Sequence, residues 1–274
     1  MDRVRKFRQE HPPKRARIGE QEWEYIAAGP SRPERERALL LLPGALAVAD
    51  STWITLPHFE DRFRVIAPTY APVSTMAELV DGIAGILDKE GIRTAAVSGG
   101  SYGGMVAQAF VRRHPERTER LILSHTALPD PSRVPALKKG VKLIEWLPEG
   151  LLRWIYKKRL AGLLPRTPEA DEFRAYTMEV AGSATKAGLL ALYRRVADFL
   201  GNEHLRPGDL DGWPGKILLL MSDDDPVTPE PAREAMKAMY PQAEEHVFTG
   251  SGHATALLQP ERYFEVMDRF LGSS

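Results

Sequence analysis

Short apolar runs alternate with amphipathic stretches along most of this chain. Runs of strand character occur at residues 23–28, 38–42, 64–67, 94–97, 121–123, 217–221 and 246–248. Apolar residues at helical spacing occur at 75–90, 102–114, 229–239 and 260–271 instead, and Thr75 with Glu78 predicts a capping box that starts the first of these helices. Because strands and helices alternate, the pattern predicts an α/β fold with a mostly parallel sheet covered by helices on both faces.

Residues 131–213 break this alternation, since they carry helical stripes and no clear strand. We interpret them as a helical cap inserted into a core of residues 23–130 and 214–274, with residues 1–22 as a basic, solvated leader. Trp146 and Trp154 stand in the cap segment beside several lysines. Ordinary cap packing is the favoured interpretation of these tryptophans, and an interfacial surface for lipid is the alternative.

Composition narrows the classes of function. The chain has 37 lysines and arginines and 37 aspartates and glutamates, so it carries no net charge that would attract nucleic acid. A small-molecule substrate is more consistent with this charge balance. The absence of cysteine excludes disulfides, thiolate metal sites and cysteine nucleophiles. Without a signal-like segment or a run of eighteen apolar residues, we expect a soluble, cytoplasmic protein with no stable membrane insertion. The oligomeric state stays open.

The low asparagine content and the many arginines and prolines suggest a heat-adapted protein. A high genomic GC content would produce much the same bias. Thermostability is therefore a hypothesis, which a melting temperature would test.

The sequence Gly99-Gly100-Ser101-Tyr102-Gly103 joins a predicted strand to a predicted helix. Where a strand turns directly into a helix, a Cβ two residues before or after the apex would clash, so the glycines predict a nucleophile elbow with Ser101 at its apex. A flexible connection is the plain alternative. A phosphate-binding loop is disfavoured, because Met105 stands where that motif needs a lysine.

A reactive serine needs an imidazole base and a carboxylate that orients the imidazole. His253 follows the last predicted strand in a glycine-containing turn, and it is the candidate base. Asp225 is the favoured acid, because it follows the apolar strand at 217–221. Asp223 and Asp224 in the same turn, and Asp130 after an earlier strand, remain alternatives.

An oxyanion formed in the reaction needs two preorganised donors. The amide of Tyr102 is the first candidate, since it starts the helix after Ser101. The amide of Ala45 is the second, with Leu46 in reserve, because both follow the strand at 38–42. Trp53 and Met105 are expected to line an apolar substrate cleft. No metal and no cofactor is expected.

From about residue 23 to residue 271 the chain resembles the α/β-hydrolase superfamily. Three motifs carry this resemblance, in the order serine, acid, histidine: Gly-Gly-Ser101-Tyr-Gly-Gly, Asp225-Pro-Val-Thr-Pro and Gly-Ser-Gly-His253. Leu-Pro43-Gly followed by Ala-Asp50 more weakly resembles the maspardin-type branch. The chain has Pro43 where the family often has histidine, and Ser222 where the acid turn commonly has glycine. These departures leave the second oxyanion donor and the register of the acid open.

The resemblance implies a carboxylesterase-like serine hydrolase that cleaves a small ester through an acyl-enzyme on Ser101. His253 would move the proton and Asp225 would orient His253. Carbon-carbon bond hydrolysis, lactone opening and peracid formation use similar residues and remain alternatives, as does a maspardin-like adaptor without turnover. Dehalogenase and epoxide hydrolase activities are disfavoured, because their covalent step needs a carboxylate where Ser101 stands.

Overall fold

One sheet runs through the computed structural model, which describes residues 1–30 and 37–272. In these residues its eight strands are β1 (Lys14–Ile18), β2 (Gln21–Ala28), β3 (Ala38–Leu42), β4 (Arg64–Thr69), β5 (Ala95–Gly100), β6 (Thr118–Ser124), β7 (Lys216–Ser222) and β8 (Glu244–Phe248). Their spatial order is β1-β2-β4-β3-β5-β6-β7-β8. The pairs β1·β2 and β2·β4 are antiparallel, and all other pairs are parallel. The predicted α/β fold is confirmed.

Helices cover both faces of this sheet. The α-helices of the described residues are α1 (Asp2–Glu10), α2 (Leu56–Phe59), α3 (Met76–Lys89), α4 (Tyr102–Arg113), α5 (Val134–Trp146), α6 (Glu149–Ala161), α7 (Asp171–Ser183), α8 (Lys186–Asn202), α9 (Glu230–Met239), α10 (Thr255–Leu258) and α11 (Pro260–Gly272). The predicted capping box is present, because Thr75 accepts from the Glu78 amide and the Glu78 carboxylate accepts from the Thr75 amide.

The continuous apolar run of β3 is explained by burial on two sides. Leu40 and Leu42 belong to the hydrophobic cluster that contains α3 and α4 side chains, whereas Leu39 and Leu41 belong to a second cluster with α11. Successive side chains of a strand point to opposite faces, so a strand between two helical layers needs apolar residues at every position.

The basic N-terminal segment is part of the fold, which corrects the interpretation of residues 1–22 as a solvated leader. Val4 and Phe7 of α1 are only 0% and 3% exposed, and they pack into the cluster that contains α11. Arg8 forms an ion pair of 2.7 Å with Asp50, and β1 pairs along its length with β2. The other cations of α1 and β1 lie on exposed faces, so a count of basic residues does not reveal that both elements are amphipathic.

Residues 131–213 contain α5, α6, α7 and α8 and lie between β6 and β7. In this helical segment α5 packs against α8 and α6 packs against α7. Arg195 of α8 anchors the segment, since its buried guanidinium donates to the Tyr102 hydroxyl at 2.8 Å and to the Ala71 carbonyl at 2.7 Å.

Trp146 and Trp154 are not packed inside the helical segment. Trp146 is 87% exposed and Trp154 is 58% exposed, so the expectation of ordinary cap packing is wrong for both. The helices of this segment, like the other helices of the described chain, are too short or too polar to cross a bilayer.

Candidate active site

The turn between β5 and α4 holds Ser101 in a strained conformation. Its φ of 54° and ψ of −122° lie outside the regions that non-glycine residues usually adopt. A Cβ on Gly99 would lie 2.1 Å from the Gly103 carbonyl oxygen, and one on Gly103 would lie 2.2 Å from the carbonyl oxygen of Leu42. Both positions therefore require glycine, for the steric reason that the sequence suggested. Thr126 secures the apex by donating to the Ser101 carbonyl at 2.8 Å.

His253 is joined to Asp225, which lies on the loop after β7. The ring atom Nδ1 lies 2.8 Å from Asp225 Oδ2, and it donates because an ionised carboxylate only accepts. The Thr228 hydroxyl also donates to Oδ2, and the Val227 amide donates to Oδ1 at 2.8 Å. Burial raises the pKa of Asp225, but the hydrogen bonds from His253 and Thr228 outweigh it and hold the pKa well below its usual range.

The neighbouring acids have other partners. Asp224 accepts from the Ser222 hydroxyl and the Gly252 amide, which lowers its pKa, and it thereby holds the turn that carries His253. Asp223 accepts weakly from an amide of the same turn, at 3.4 Å. Asp130 accepts from the Ser132 amide at the start of a short 3₁₀ helix. Among the four candidates, the geometry associates His253 with Asp225.

Ser101 and His253 line one cavity of about 310 Å³. Within the described part of the chain, Ser101 Oγ makes no hydrogen bond to His253. A serine-histidine contact of this kind is often loose before substrate binds. The helical segment contributes apolar side chains to the lining of this cavity: Leu160, Leu163, Leu164 and Phe173. Of the residues described, those that line the cavity include no lysine, arginine, aspartate or glutamate.

The turn after β3 lies beside Ser101. Gly44, Ala45 and Leu46 all line the cavity, and the Ala45 carbonyl accepts from the Tyr156 hydroxyl at 2.7 Å. Tyr156 belongs to α6, so the helical segment holds this turn directly. The Tyr102 amide starts α4, where helix N-termini present unpaired donors.

Trp53 and Met105 do not line the cavity, which corrects their expected role in substrate binding. Trp53 is 3% exposed and packs edge-on against Tyr176, with the Arg3 guanidinium 5.0 Å from its ring centre. Met105 packs against the cluster that contains α3 and α4 side chains. Trp53 follows the 3₁₀ helix Ala49–Thr52 and Met105 lies in α4, and both side chains pack with hydrophobic clusters and not into the cavity.

His125, which the sequence patterns did not single out, is a second histidine of the cavity. Its ring nitrogens lie 2.8 Å from Ser124 Oγ and 2.9 Å from Thr255 Oγ1. The ring centre is 5.8 Å from that of His253, in an edge-on arrangement. Burial, followed by the repulsion of His253, lowers the pKa of His125 to about 4. The polar residues directly after the apolar strand at 121–123 were a signal that could have found it.

Comparison with known proteins agrees with this architecture. The model of the Alpha/beta hydrolase family matches residues 39–266, so the chain belongs to that family and to its class of hydrolase enzymes. A hydrolase from Pseudomonas aeruginosa has the same fold, with a TM-score of 0.78 at 20% identity over 96% of this chain and 99% of that one.

Two curated relatives carry specific names. The chain is 26% identical over 215 residues to a 2-hydroxymuconate semialdehyde hydrolase of Pseudomonas putida, over 73% of this chain and 70% of the relative. It is 27% identical over 197 residues to a 2-hydroxy-6-oxononadienedioate/2-hydroxy-6-oxononatrienedioate hydrolase of Paraburkholderia phymatum. That alignment covers 69% of this chain and 66% of the relative.

Proposed function

We propose that this chain is a serine hydrolase that cleaves small, uncharged carboxylic esters through an acyl-enzyme on Ser101. One observation carries the proposal: a histidine oriented by a buried carboxylate lines the same cavity as a serine held at a strained strand-helix turn. This is the pairing of nucleophile, base and orienting group that nucleophilic catalysis requires.

Each group has one role in the proposed reaction. Ser101 Oγ attacks the acyl carbonyl while His253 Nε2 accepts the serine proton and passes it to the leaving alcohol. Asp225 fixes the tautomer, because its bond to Nδ1 leaves Nε2 free to accept. A water molecule then attacks the acyl-enzyme by the same route and releases the acid.

The tetrahedral oxyanion would be held by the amides of Tyr102 and Ala45, with Leu46 in reserve. The bond from Tyr156 to the Ala45 carbonyl supports this assignment, because it fixes the peptide next to the proposed donor. Donors held before the reaction need no reorganisation in the transition state.

The lining of the cavity favours an uncharged substrate. Within the described part of the chain, no lysine or arginine lines the cavity, and His125 stays neutral near pH 7 because its pKa is about 4. A carboxylate brought into this space would lose hydration without gaining a cationic partner. An uncharged ester with an aliphatic group against Leu160 and Leu163 avoids that penalty.

Carbon-carbon bond hydrolysis is the second candidate, and the relatives favour it. The names of these relatives specify a semialdehyde and unsaturated oxo-dicarboxylic acids as substrates, and the same serine and histidine could serve such a reaction. The uncharged lining weighs against the dicarboxylic acids in particular.

The experiment compares kcat/KM for p-nitrophenyl esters of increasing acyl length with kcat/KM for an unsaturated 6-oxo acid. We expect the short and medium esters to be preferred, and Ser101→Ala to lower their turnover by about four powers of ten. Ser183→Ala, on the exposed end of α7, is the matched control and should retain full activity. Preference for the oxo acid would replace the ester proposal with the second candidate. Full activity in Ser101→Ala would overturn both.

A further inference from the structure

The helical segment exposes an unusual amount of apolar surface at one corner. Among the described residues, six of the eight exposed large hydrophobic side chains lie between positions 143 and 163: Leu143, Trp146, Leu151, Trp154, Ile155 and Leu163. We call this surface, on α5, α6 and the residues that follow α6, the α5–α6 corner. Concentrated apolar exposure of this kind marks an interaction site more often than single exposed residues do.

The exposed side chains of the corner lie close together. Trp146 ends α5 and Leu151 lies in the first turn of α6, so five residues of chain, or at most about 18 Å, separate them. Leu143 lies one turn before Trp146, and Trp154 and Ile155 lie one turn after Leu151. The apolar stripe of α5 is partly buried, because it packs against α8 and the core cluster. Leu143 and Trp146 remain exposed beside it, so this end of α5 offers apolar surface to a partner.

The corner is strongly basic in a chain with no net charge. Residues 134–166 contain eight lysines and arginines against two glutamates, a net charge of +6, whereas the whole chain has 37 of each sign. Both glutamates are already paired, Glu145 with Arg194 and Glu149 with Arg153. Lys138, Lys139, Lys142 and Lys158 have no carboxylate partner in residues 1–30 and 37–272. The basic charge is therefore available to an anionic partner.

The side-chain chemistry selects among partners. Tryptophan is favoured where an apolar layer meets water, since its ring is apolar and its N–H is polar, and lysines beside it attract anionic headgroups. The Lys158 ammonium already lies 5.2 Å from the centre of the Trp154 ring, so the two residue types form one surface. A second copy of the chain is a poor partner, because a symmetric dimer would place two basic surfaces against each other.

We propose that the α5–α6 corner docks this protein on the surface of an anionic lipid bilayer. The tryptophans enter the headgroup region, and the lysines contact the phosphates. Leu163 belongs to the corner, at 47% exposure, and also lines the cavity with Leu160. A docked lipid layer would thus lie beside the cavity. The docking depends only on this surface, and it stands whether or not Ser101 is a nucleophile.

The test is co-sedimentation of the full-length protein with vesicles, in both the wild-type and the Ser101→Ala background. Phosphatidylcholine vesicles are compared with vesicles that also contain phosphatidylglycerol, at low and at high salt. We expect binding to the anionic vesicles that weakens with salt. The fluorescence of Trp146 and Trp154 should shift to the blue on binding.

Two variants separate the apolar and charged contributions. Trp146→Ser with Trp154→Ser, and Lys138→Glu with Lys139→Glu and Lys142→Glu, should each weaken binding roughly tenfold or more. Val247→Ser and Lys89→Glu change exposed residues elsewhere, and they should bind like the wild type. All the altered side chains are exposed, so the melting temperature of each variant should stay at the wild-type value, and a lowered melting temperature would reveal a folding defect.

The proposal would be overturned by no binding to anionic vesicles at low salt, by equal binding to neutral vesicles, or by full binding of the tryptophan double variant. A dimer of the wild type in sedimentation velocity that is lost in the tryptophan double variant would also overturn it. That result would assign the corner to a second copy of the chain.

Discussion

The guanidinium of Arg195 donates to the hydroxyl of Tyr102 at 2.8 Å. This bond joins α8 of the helical segment to the residue that directly follows Ser101. Arg195 is 1% exposed, and it also donates to the carbonyls of Ala71 and Val73. A buried guanidinium that bonds to carbonyl and phenol oxygens holds several loops in one arrangement, and its loss leaves those oxygens unpaired.

A double-mutant cycle tests this connection. Arg195→Met should lower the free energy of unfolding by about 3 kcal/mol, and Tyr102→Phe by about 1 kcal/mol. The double variant should lose less than the sum, with a coupling of about 1 kcal/mol in urea unfolding. Arg194→Met is the neighbouring control, and it should cost under about 1 kcal/mol because Arg194 is 43% exposed. Strict additivity would show that the bond does not contribute.

The packing of α1 makes a prediction about the N-terminal segment. Phe7→Ala should lower the free energy of unfolding by about 3 to 5 kcal/mol, because Phe7 is 3% exposed within the cluster that contains α11. Lys6→Ala, on the exposed face of the same helix, should cost under about 0.5 kcal/mol. Equal, small effects in denaturant unfolding would restore the interpretation of residues 1–22 as a solvated leader.

The strand-helix turn at Ser101 predicts that Gly99 does not tolerate alanine, whereas the adjacent Gly100 does. Gly99→Ala should destabilise the protein by about 3 kcal/mol or more, because the new Cβ would lie 2.1 Å from a backbone oxygen. Gly100→Ala should have little effect on the melting temperature, since its Cβ would meet nothing nearer than 3.6 Å. Similar melting temperatures for both variants would refute the steric argument.

The buried His125 predicts acid sensitivity. Its pKa is about 4 in the folded protein and 6.5 in the unfolded chain, so the unfolded chain binds the proton first as pH falls. The free energy of unfolding should fall by about 3 kcal/mol between pH 6.5 and pH 4, and this group should contribute no pH dependence above that window. The pKa of Asp225 is lowered in the folded protein. Its protonation therefore reduces the free energy of unfolding only at pH values below the usual pKa range of aspartate.

His125→Asn is the variant for this measurement, because asparagine tolerates the φ of 48° at this position. Urea unfolding at a series of pH values should show a flatter profile between pH 4 and pH 6.5 than in the wild type. His204→Asn, at an exposed position, should keep the wild-type profile. An unchanged profile in His125→Asn would assign the acid sensitivity to other groups.

Sequence patterns predicted the features that depend on local sterics and periodicity. The glycines around Ser101 reflect clashes within a few residues, and the Thr75–Glu78 capping box spans a single turn, so both could be predicted from spacing alone. For the partner of His253 the sequence favoured Asp225 but left Asp130 and the neighbouring aspartates open. That choice depends on the turn geometry that directs Asp224 to Gly252 and Asp225 to His253.

Features set by distant packing could not be predicted in this way. Trp53 enters the core because α1 and α7 close over it, and Trp146 is exposed because nothing in the described chain covers the end of α5. The burial of a tryptophan depends on which element lies opposite, and spacing along the chain does not specify that element.

Covalent labelling with a fluorophosphonate tests the central claim most directly. The probe reacts with a serine only where a base activates it, so mass spectrometry should find the adduct on the peptide that contains Ser101. Labelling should be absent in Ser101→Ala and strongly slowed in His253→Ala, while Ser183→Ala should be labelled like the wild type. A folded wild-type protein that stays unlabelled, or that is labelled at another serine, would contradict the account.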